Sequence, residues 1–193
     1  ATQALECISN AQNFGFECLT IDLIYGAPTT SHQIWKRNLQ TAFDLGVPHL
    51  SCYALTVEPK TALAYKIKKG FLPQVEDEHC AEQFEILLEA IQQNGYEQYE
   101  ISNFCKPSFY ARHNSSYWQG ASYLGLGPSA HSFDGGSRQW NIAHNEKYIQ
   151  KVQTSAVYWE KEILSAADQY NEYIMTSLRT KWGVQKTVLI QQY

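Results

Sequence analysis

The sequence predicts an α/β fold built on parallel strands. Three observations point there. Residues 17–24 read ECLTIDLI, an alternating run with apolar residues on both faces; a helical stripe of Trp35, Leu39, Ala42 and Phe43 follows; and a second strand-like run, residues 50–57, comes after the break at Gly46 and Pro48. Strands buried on both faces and joined through helices make a parallel sheet with right-handed crossovers, either an open doubly wound sheet or a closed or partial barrel.

Taken in order, Ala4, Leu5, Ile8 and Ala11 mark one face of a short helix that ends near Asn13 and Gly15. The strand after it puts Leu19, Ile21 and Leu23 on one face and Cys18, Thr20, Asp22 and Ile24 on the other, and both faces read as largely buried. The turn Tyr25-Gly26-Ala27-Pro28 closes it, and Thr30-Ser31-His32-Gln33 offers a capping-box-like start to the next helix. Residues 61–69 read as a short helix ending at Gly70. A longer one begins near Asp77, with Cys80, Phe84, Leu87, Leu88 and Ile91 on its stripe and Asn94-Gly95 at its end; a single strand, residues 96–104, should follow.

From 106 to about 141 the periodicity fails and Gly, Ser, Pro and aromatics accumulate. A long irregular segment inside a domain is usually functional. Helices are expected near 145–153 and over 166–181, where Tyr170, Tyr173, Ile174 and Leu178 align before Gly183. Residues 184–193 read as the opening of a further element with little to pack against, as in a truncated second domain.

The 193 residues, 22.1 kDa, leave room for one sizeable domain or one domain plus part of another. Hydrophobic residues at 44% and charged residues at 18% place the chain among soluble globular proteins. A net charge of −4 and a pI near 5.9 give no basic footprint for a phosphate backbone or an anionic membrane, so nucleic acid is not an expected partner. The cysteines at 7, 18, 52, 80 and 105 show no local metal-clip spacing. They read as free thiols, mostly buried as small hydrophobes, in a reducing compartment. The absence of an 18-residue apolar run, and of a signal pattern after Ala1-Thr2-Gln3, leads to the expectation of an excised cytoplasmic fragment.

Asp22 falls near the C-terminal end of a parallel strand, the edge where ligands of α/β folds bind. A carboxylate there could hold a ribose hydroxyl or an amine, with Ile24 on the same face against a flat heterocycle; a carboxylate that caps the following turn reads equally well. His113 stands in a polar turn before Tyr117 and Trp118, with no second Cys or His at metal spacing. It is either a loop histidine packed locally or a single open-sided ligand of the kind that suits haem iron. Gly125-Leu126-Gly127-Pro128-Ser129-Ala130 is a weak match to a phosphate loop, lacking its lysine and second glycine spacing, and Pro128 removes an N–H donor; a tight bend that lets the backbone pass close to the barrel or a ligand is the other reading. Ser129 and His131 lie outside any GxSxG elbow.

Four segments together resemble the oxygen-independent coproporphyrinogen III oxidase-like radical SAM family, closest to its HemW haem chaperone branch. They are Ile21-Asp22-Leu23-Ile24-Tyr25-Gly26-Ala27-Pro28, with Ala27 where leucine is usual; Tyr99-Glu100-Ile101-Ser102-Asn103-Phe104; Arg112-His113-Asn114 with Tyr117-Trp118; and residues 123–132, YLGLGPSAHS. The resemblance implies the C-terminal part of a partial (β/α)6 radical SAM barrel over residues 1–105, a family-specific extension over 106–160, and the start of a helical C-terminal domain over 161–193. It implies S-adenosyl-L-methionine (SAM) and a [4Fe–4S] cluster in the full-length parent. The CxxxCxxC motif that holds the cluster is absent from this chain, so no catalytic assembly of these cofactors is expected in it.

Carried over by motif, Asp22 and Ile24 are the SAM-contacting residues. The resemblance also implies that His113, with Asn114, Tyr117 and Trp118, forms the HNxxYW haem motif and that His113 is the ligand to haem iron. The decarboxylating oxidases lack HNxxYW, which favours a chaperone that passes haem to a haem-accepting protein over an oxidase acting on a porphyrinogen. A SAM enzyme acting on an unrelated substrate is the third reading. A half-barrel exposes a sheet edge, which leads to the expectation of a homodimer or of aggregation. Sedimentation at high concentration should show species larger than a monomer; a clean monomer would count against this.

Overall fold

In the computed structural model, which describes residues 2–192, helices and strands follow the expected order up to residue 93 and depart from it where a strand was expected over 96–104. The chain divides into two units, one up to Ala111 and one from Arg112. The first opens with α1 (Thr2–Asn13), β1 (Thr20–Tyr25), α2 (His32–Asp44) and β2 (His49–Ala54). β1 and β2 are parallel, in register from Thr20 opposite His49 to Tyr25 opposite Ala54. α2 starts where its capping signal lies: Ser31 Oγ accepts from Ile34 N at 3.3 Å. Two further helices follow, α3 (Ala62–Lys68), capped by Thr61, and α4 (Asp77–Gln93).

The strand expected over 96–104 is instead a hairpin. β3 (Glu97–Glu100) and β4 (Asn103–Cys105) are antiparallel with a bulge between Gln98 and Glu100, and β4 runs antiparallel to β2, giving the order β1-β2-β4-β3. The reversal is local chemistry: the Glu100 carboxylate accepts from Ser102 N at 3.0 Å and from Asn103 Nδ2 at 2.5 Å, turning the chain at Ile101. The sheet is therefore mixed, and only its first pair is parallel.

Burial on both faces of β1 is also corrected. Trp35, Leu39 and Ala42 of α2 and Leu87 and Ile91 of α4 share one core cluster with Leu50, Cys52 and Phe104, and Ile21, Leu23 and Tyr25 pack against it. Both helices thus serve the same face. On the other face Thr20, Asp22 and Ile24 are exposed, Ile24 at 55%. Cys52 and Cys105 are buried as expected, but Cys7 and Cys18 are exposed, because neither segment is covered by another element.

The loop from β1 to α2 is held by one buried side chain. Gln83 of α4 is fully buried; its Oε1 accepts from Gly26 N at 2.7 Å, its Nε2 donates to Thr30 O at 2.8 Å, and its carbonyl accepts from Trp35 Nε1 at 2.9 Å. Gly26 has φ +76°, and a Cβ there would lie 2.2 Å from Cys80 Sγ.

The second unit consists of α5 (Arg112–Trp118), β5 (His131–Phe133), β6 (Ser137–Asn141), α6 (Asn145–Gln153), β7 (Trp159–Ile163), α7 (Ala166–Leu178) and α8 (Lys186–Gln192). β5, β6 and β7 form an antiparallel sheet in that order. The stretch expected to be irregular over 106–141 thus contains a helix and a hairpin. Asp134 makes the hairpin turn, accepting from Ser137 Oγ at 2.6 Å, Gly136 N at 3.0 Å and Ser137 N at 2.6 Å. These bonds, the Ser137 hydroxyl first, hold its carboxyl down at about 2. The Ser165–Asp168 capping box starts α7, which ends at Leu178 rather than residue 181. The element expected over 184–193 is the short helix α8; Tyr193 lies outside the described residues. No helix among the described residues is long and apolar enough to cross a membrane.

Gly26→Ala should lower unfolding free energy by about 2–5 kcal/mol, summing left-handed backbone strain and overpacking against Cys80. Cys80→Ala in the same chain should recover the overpacking part and leave the backbone part. Denaturant melts of the two single variants and the double variant check this.

Candidate functional site

In the first unit the candidate residues lie on the sheet face away from the helices. Register partners of parallel strands share a face, so Asp22 lies beside Ser51, and Ile24 beside the exposed ring of Tyr53. Asp22 is in the middle of β1, not in the turn after it. Of the two sequence readings, this geometry is that of a strand-face carboxylate, exposed next to an exposed apolar side chain.

Beside this open edge the same face carries a buried polar network. His49 Nε2 and Tyr99 Oη are 2.7 Å apart, and the Tyr99 hydroxyl also accepts from Ala111 N at 3.3 Å. Ser51 Oγ donates to Asn103 Oδ1 at 3.0 Å, and Asn103 in turn donates to Glu100. Tyr110 donates to Glu97 and meets the Tyr99 ring edge-on at 5.2 Å. Burial pushes the His49 imidazole below its ordinary value of 6.5, opposed by the nearby Asp22 carboxylate. Burial also pushes the Tyr99 hydroxyl up to about 12, and the Cys52 thiol, with the Asp22 charge adding, up to about 12. His49 Nδ1 is buried without a hydrogen-bond partner among the described residues.

Sequence reading singled out Asp22 and Ile24 but not His49 or Ser51. Alternation along residues 49–53 could have put both on the Asp22 face, but only if the β1–β2 register were known. Tyr99, Glu100 and Asn103 were visible only as part of a family motif.

In the second unit, His113 and Tyr117 are four residues apart on α5, so the HNxxYW segment is helical where a polar turn was expected. Ser116 Oγ donates to His113 O at 2.7 Å, a bond one helical turn allows. His113 is exposed. Its ring meets Tyr117 edge-on at 5.0 Å, Tyr117 meets Tyr123 at 4.9 Å, and Tyr123 lies 6.1 Å from Phe133. The row thus runs from helix to hairpin with an imidazole at its outer end. Trp118 points the other way: the Arg179 guanidinium lies 4.7 Å from its ring, and its Nε1 is buried with no acceptor among the described residues. Asn114 is half-buried.

The glycine-rich segment is structural. A Cβ at Gly125 would lie 2.1 Å from His131 O, and Asn141 Nδ2 donates to Gly127 O at 2.9 Å. Gly125 N donates to Ser132 Oγ at 3.0 Å and Gly127 N to Tyr148 Oη at 3.3 Å, so these amides are used internally rather than offered to a phosphate. Leu124 and Leu126, at 75% and 82% exposure, are left as apolar surface. An exposed imidazole with aromatic rings behind it can give one nitrogen to a metal at the centre of a flat group.

No family model matches the chain. It is 38% identical over 185 residues to the haem chaperone HemW of Mycobacterium tuberculosis (strain CDC 1551 / Oshkosh), covering 95% of this chain and 46% of that protein. It is 33% identical over 184 residues to the haem chaperone HemW of Bacillus subtilis (strain 168), covering 95% and 48%. The chain therefore spans about half the length of these curated relatives. Among solved structures it is similar to coproporphyrinogen III oxidase (HemN) from Escherichia coli, described as a radical SAM enzyme, with a TM-score of 0.80 at 22% identity over 98% of this chain and 46% of that one.

The lowered His49 value sets a pH dependence. The unfolded chain takes up a proton as pH falls through 6.5 and the folded chain does so only at lower pH. Stability is therefore full above that value and is lost as pH drops through the folded one. Denaturant melts across this range should show that slope, and His49→Gln should flatten it.

Proposed function

Because the chain belongs to the oxygen-independent coproporphyrinogen III oxidase-like radical SAM family, with HemW haem chaperones among its homologues, we propose that it is part of a protein that binds haem and delivers it to haem-requiring proteins. One observation carries this reading: His113 is exposed at the end of the Tyr117–Tyr123–Phe133 row, and the glycine-rich bend of the same unit leaves Leu124 and Leu126 exposed. In the proposal His113 gives a ring nitrogen to haem iron as a single axial ligand, and the aromatic and aliphatic surface packs against the macrocycle. Asn114 and Trp118 serve from within α5. Both complete the motif around His113 and Tyr117, and Trp118 has the Arg179 guanidinium 4.7 Å from its ring.

Asp22 and Ile24 fit SAM for an equally local reason. A carboxylate accepts hydrogen bonds from hydroxyl or ammonium groups, and Ile24 two residues on offers an apolar surface to a purine. Bound SAM, with an iron–sulfur cluster held elsewhere in the full-length protein, supplies one-electron chemistry. What this chain contributes is recognition: a charged acceptor and an apolar plate fixed on one strand. Residues 1–105 are proposed as barrel, 106–160 as the haem-binding extension and 161–193 as the start of a helical domain. The proposed setting is the cytoplasm, with a haem-accepting protein as partner and a second copy as a further one.

Haem titration followed at the Soret band tests the reading on the full-length protein. Wild type should bind saturably with a band shift typical of nitrogen ligation. His113→Ala should lose the shift and bind about tenfold or more weakly, 1.4 kcal/mol per decade. Binding indifferent to His113→Ala would return that residue to a local packing role, and turnover of a porphyrinogen would then favour the oxidase.

A further inference from the structure

We propose that His32, His79 and Glu82 form a binding site for a zinc-class divalent cation beside the loop from β1 to α2. His32 is the first residue of α2, while His79 and Glu82 lie three apart near the start of α4, on one side of that helix. His32 Nε2 is 3.0 Å from His79 Nδ1 and 3.3 Å from Glu82 Oε2, and the three ligand atoms lie within 4.8 Å of one another. Nitrogen and oxygen ligands about 2.0–2.2 Å from a tetrahedral zinc stand roughly 3.3–3.5 Å apart. The two ligand separations measured from His32 come within a few tenths of an ångström of that spacing.

The protonation pattern is set by the fold. His79 Nε2 is 3.0 Å from Thr30 O, and a carbonyl can only accept, so Nε2 carries the hydrogen and Nδ1 presents its lone pair toward His32. An outer carbonyl that fixes the tautomer is the arrangement typical of metal-ligating histidines. Thr30 O is itself held by the fully buried Gln83, so the orienting group is rigid. Without metal, His32 Nε2–H donates to His79 Nδ1. Coordination would need the other His32 tautomer, with its hydrogen on Nδ1 and Nε2 free for the metal.

The chemistry of the donor set selects the ion. Two imidazoles and one carboxylate suit zinc or a neighbouring transition metal, whereas calcium and magnesium prefer oxygen alone and copper(I) prefers thiolate. Cys80, next to His79 in sequence, is directed at Gly26 and does not belong to the set. The His32 and Glu82 side chains are 38% and 53% exposed, which leaves an entry path and room for water as a fourth ligand. Both helices present their positive ends to the cation and oppose it, and the Glu82 carboxylate offsets this. A micromolar Kd is expected, weaker than for buried sites. Occupancy would clamp the start of α2 to α4 and stiffen residues 26–30, the loop that leaves the strand carrying Asp22. None of this depends on haem or SAM binding.

The test uses the chain purified without a histidine tag and stripped with EDTA. Calorimetry with zinc should give one site, and a hundredfold excess over Kd should raise Tm by roughly 5 °C or more. Cobalt(II) in its place should show visible bands of nitrogen and oxygen ligation with no thiolate charge-transfer band. His32→Ala leaves the His79–Thr30 bond intact, and Glu82→Gln removes only a charge. Each should fold as wild type in EDTA by circular dichroism and weaken zinc at least tenfold. Wild-type affinity in both variants, or a thiolate band pointing to exposed Cys7 or Cys18, overturns the proposal.

Discussion

The first unit depends on the amide of Gln83. Burying a primary amide is costly unless each of its groups finds a partner. Here Oε1 takes Gly26 N, Nε2 takes Thr30 O, and the backbone carbonyl takes Trp35 Nε1. One side chain therefore closes the loop that ends β1 and ties it to α4, while the same residue anchors the largest side chain of the core. The close approach of Gly26 to Cys80 and of His79 to Thr30 follows from this closure, and so does the His32–His79–Glu82 grouping.

A second consequence is the division of the sheet into two unlike faces. Because α2 and α4 share one apolar cluster, Ile21, Leu23 and Tyr25 of β1 and Leu50 and Cys52 of β2 turn toward them, while Asp22 and Ser51 turn away. On the far face His49 pairs with Tyr99, and Ser51 with Asn103 and Glu100, which leaves His49 Nδ1 as a buried atom without a partner among the described residues. Only the β1 side, with Asp22, Ile24 and Tyr53, is left exposed. An open acidic and apolar edge next to a closed polar network offers the proposed SAM contact a fixed support.

The second unit is built differently, from short elements stabilised by local hydrogen bonds rather than by a large core. Asp134 turns the hairpin, Ser165 and Asp168 start α7, and Asn141 clasps the glycine-rich bend. The long irregular appearance of residues 106–141 arose because strands of three and five residues are too short to show a period. Asp134-Gly135-Gly136 between Phe133 and Ser137 was the turn signal available for them.

The sequence by itself determined the α/β class, the helices α2, α4 and α6 with their start and stop residues, and the placement of Asp22 and Ile24 on one face. Periodicity and capping act within a few residues, and they survive in any tertiary setting. Motif resemblance marked His113 and its neighbours, but not that they lie on a helix. The tertiary structure alone decided the rest. The 96–104 hairpin, the exposed face of β1, the burial of Gln83 and the meeting of His32 with His79 all depend on which segments pack together. Residues 47 positions apart carry no local signal of contact, and a glutamine on a helix reads as solvent-facing until the loop whose backbone it satisfies is folded against it.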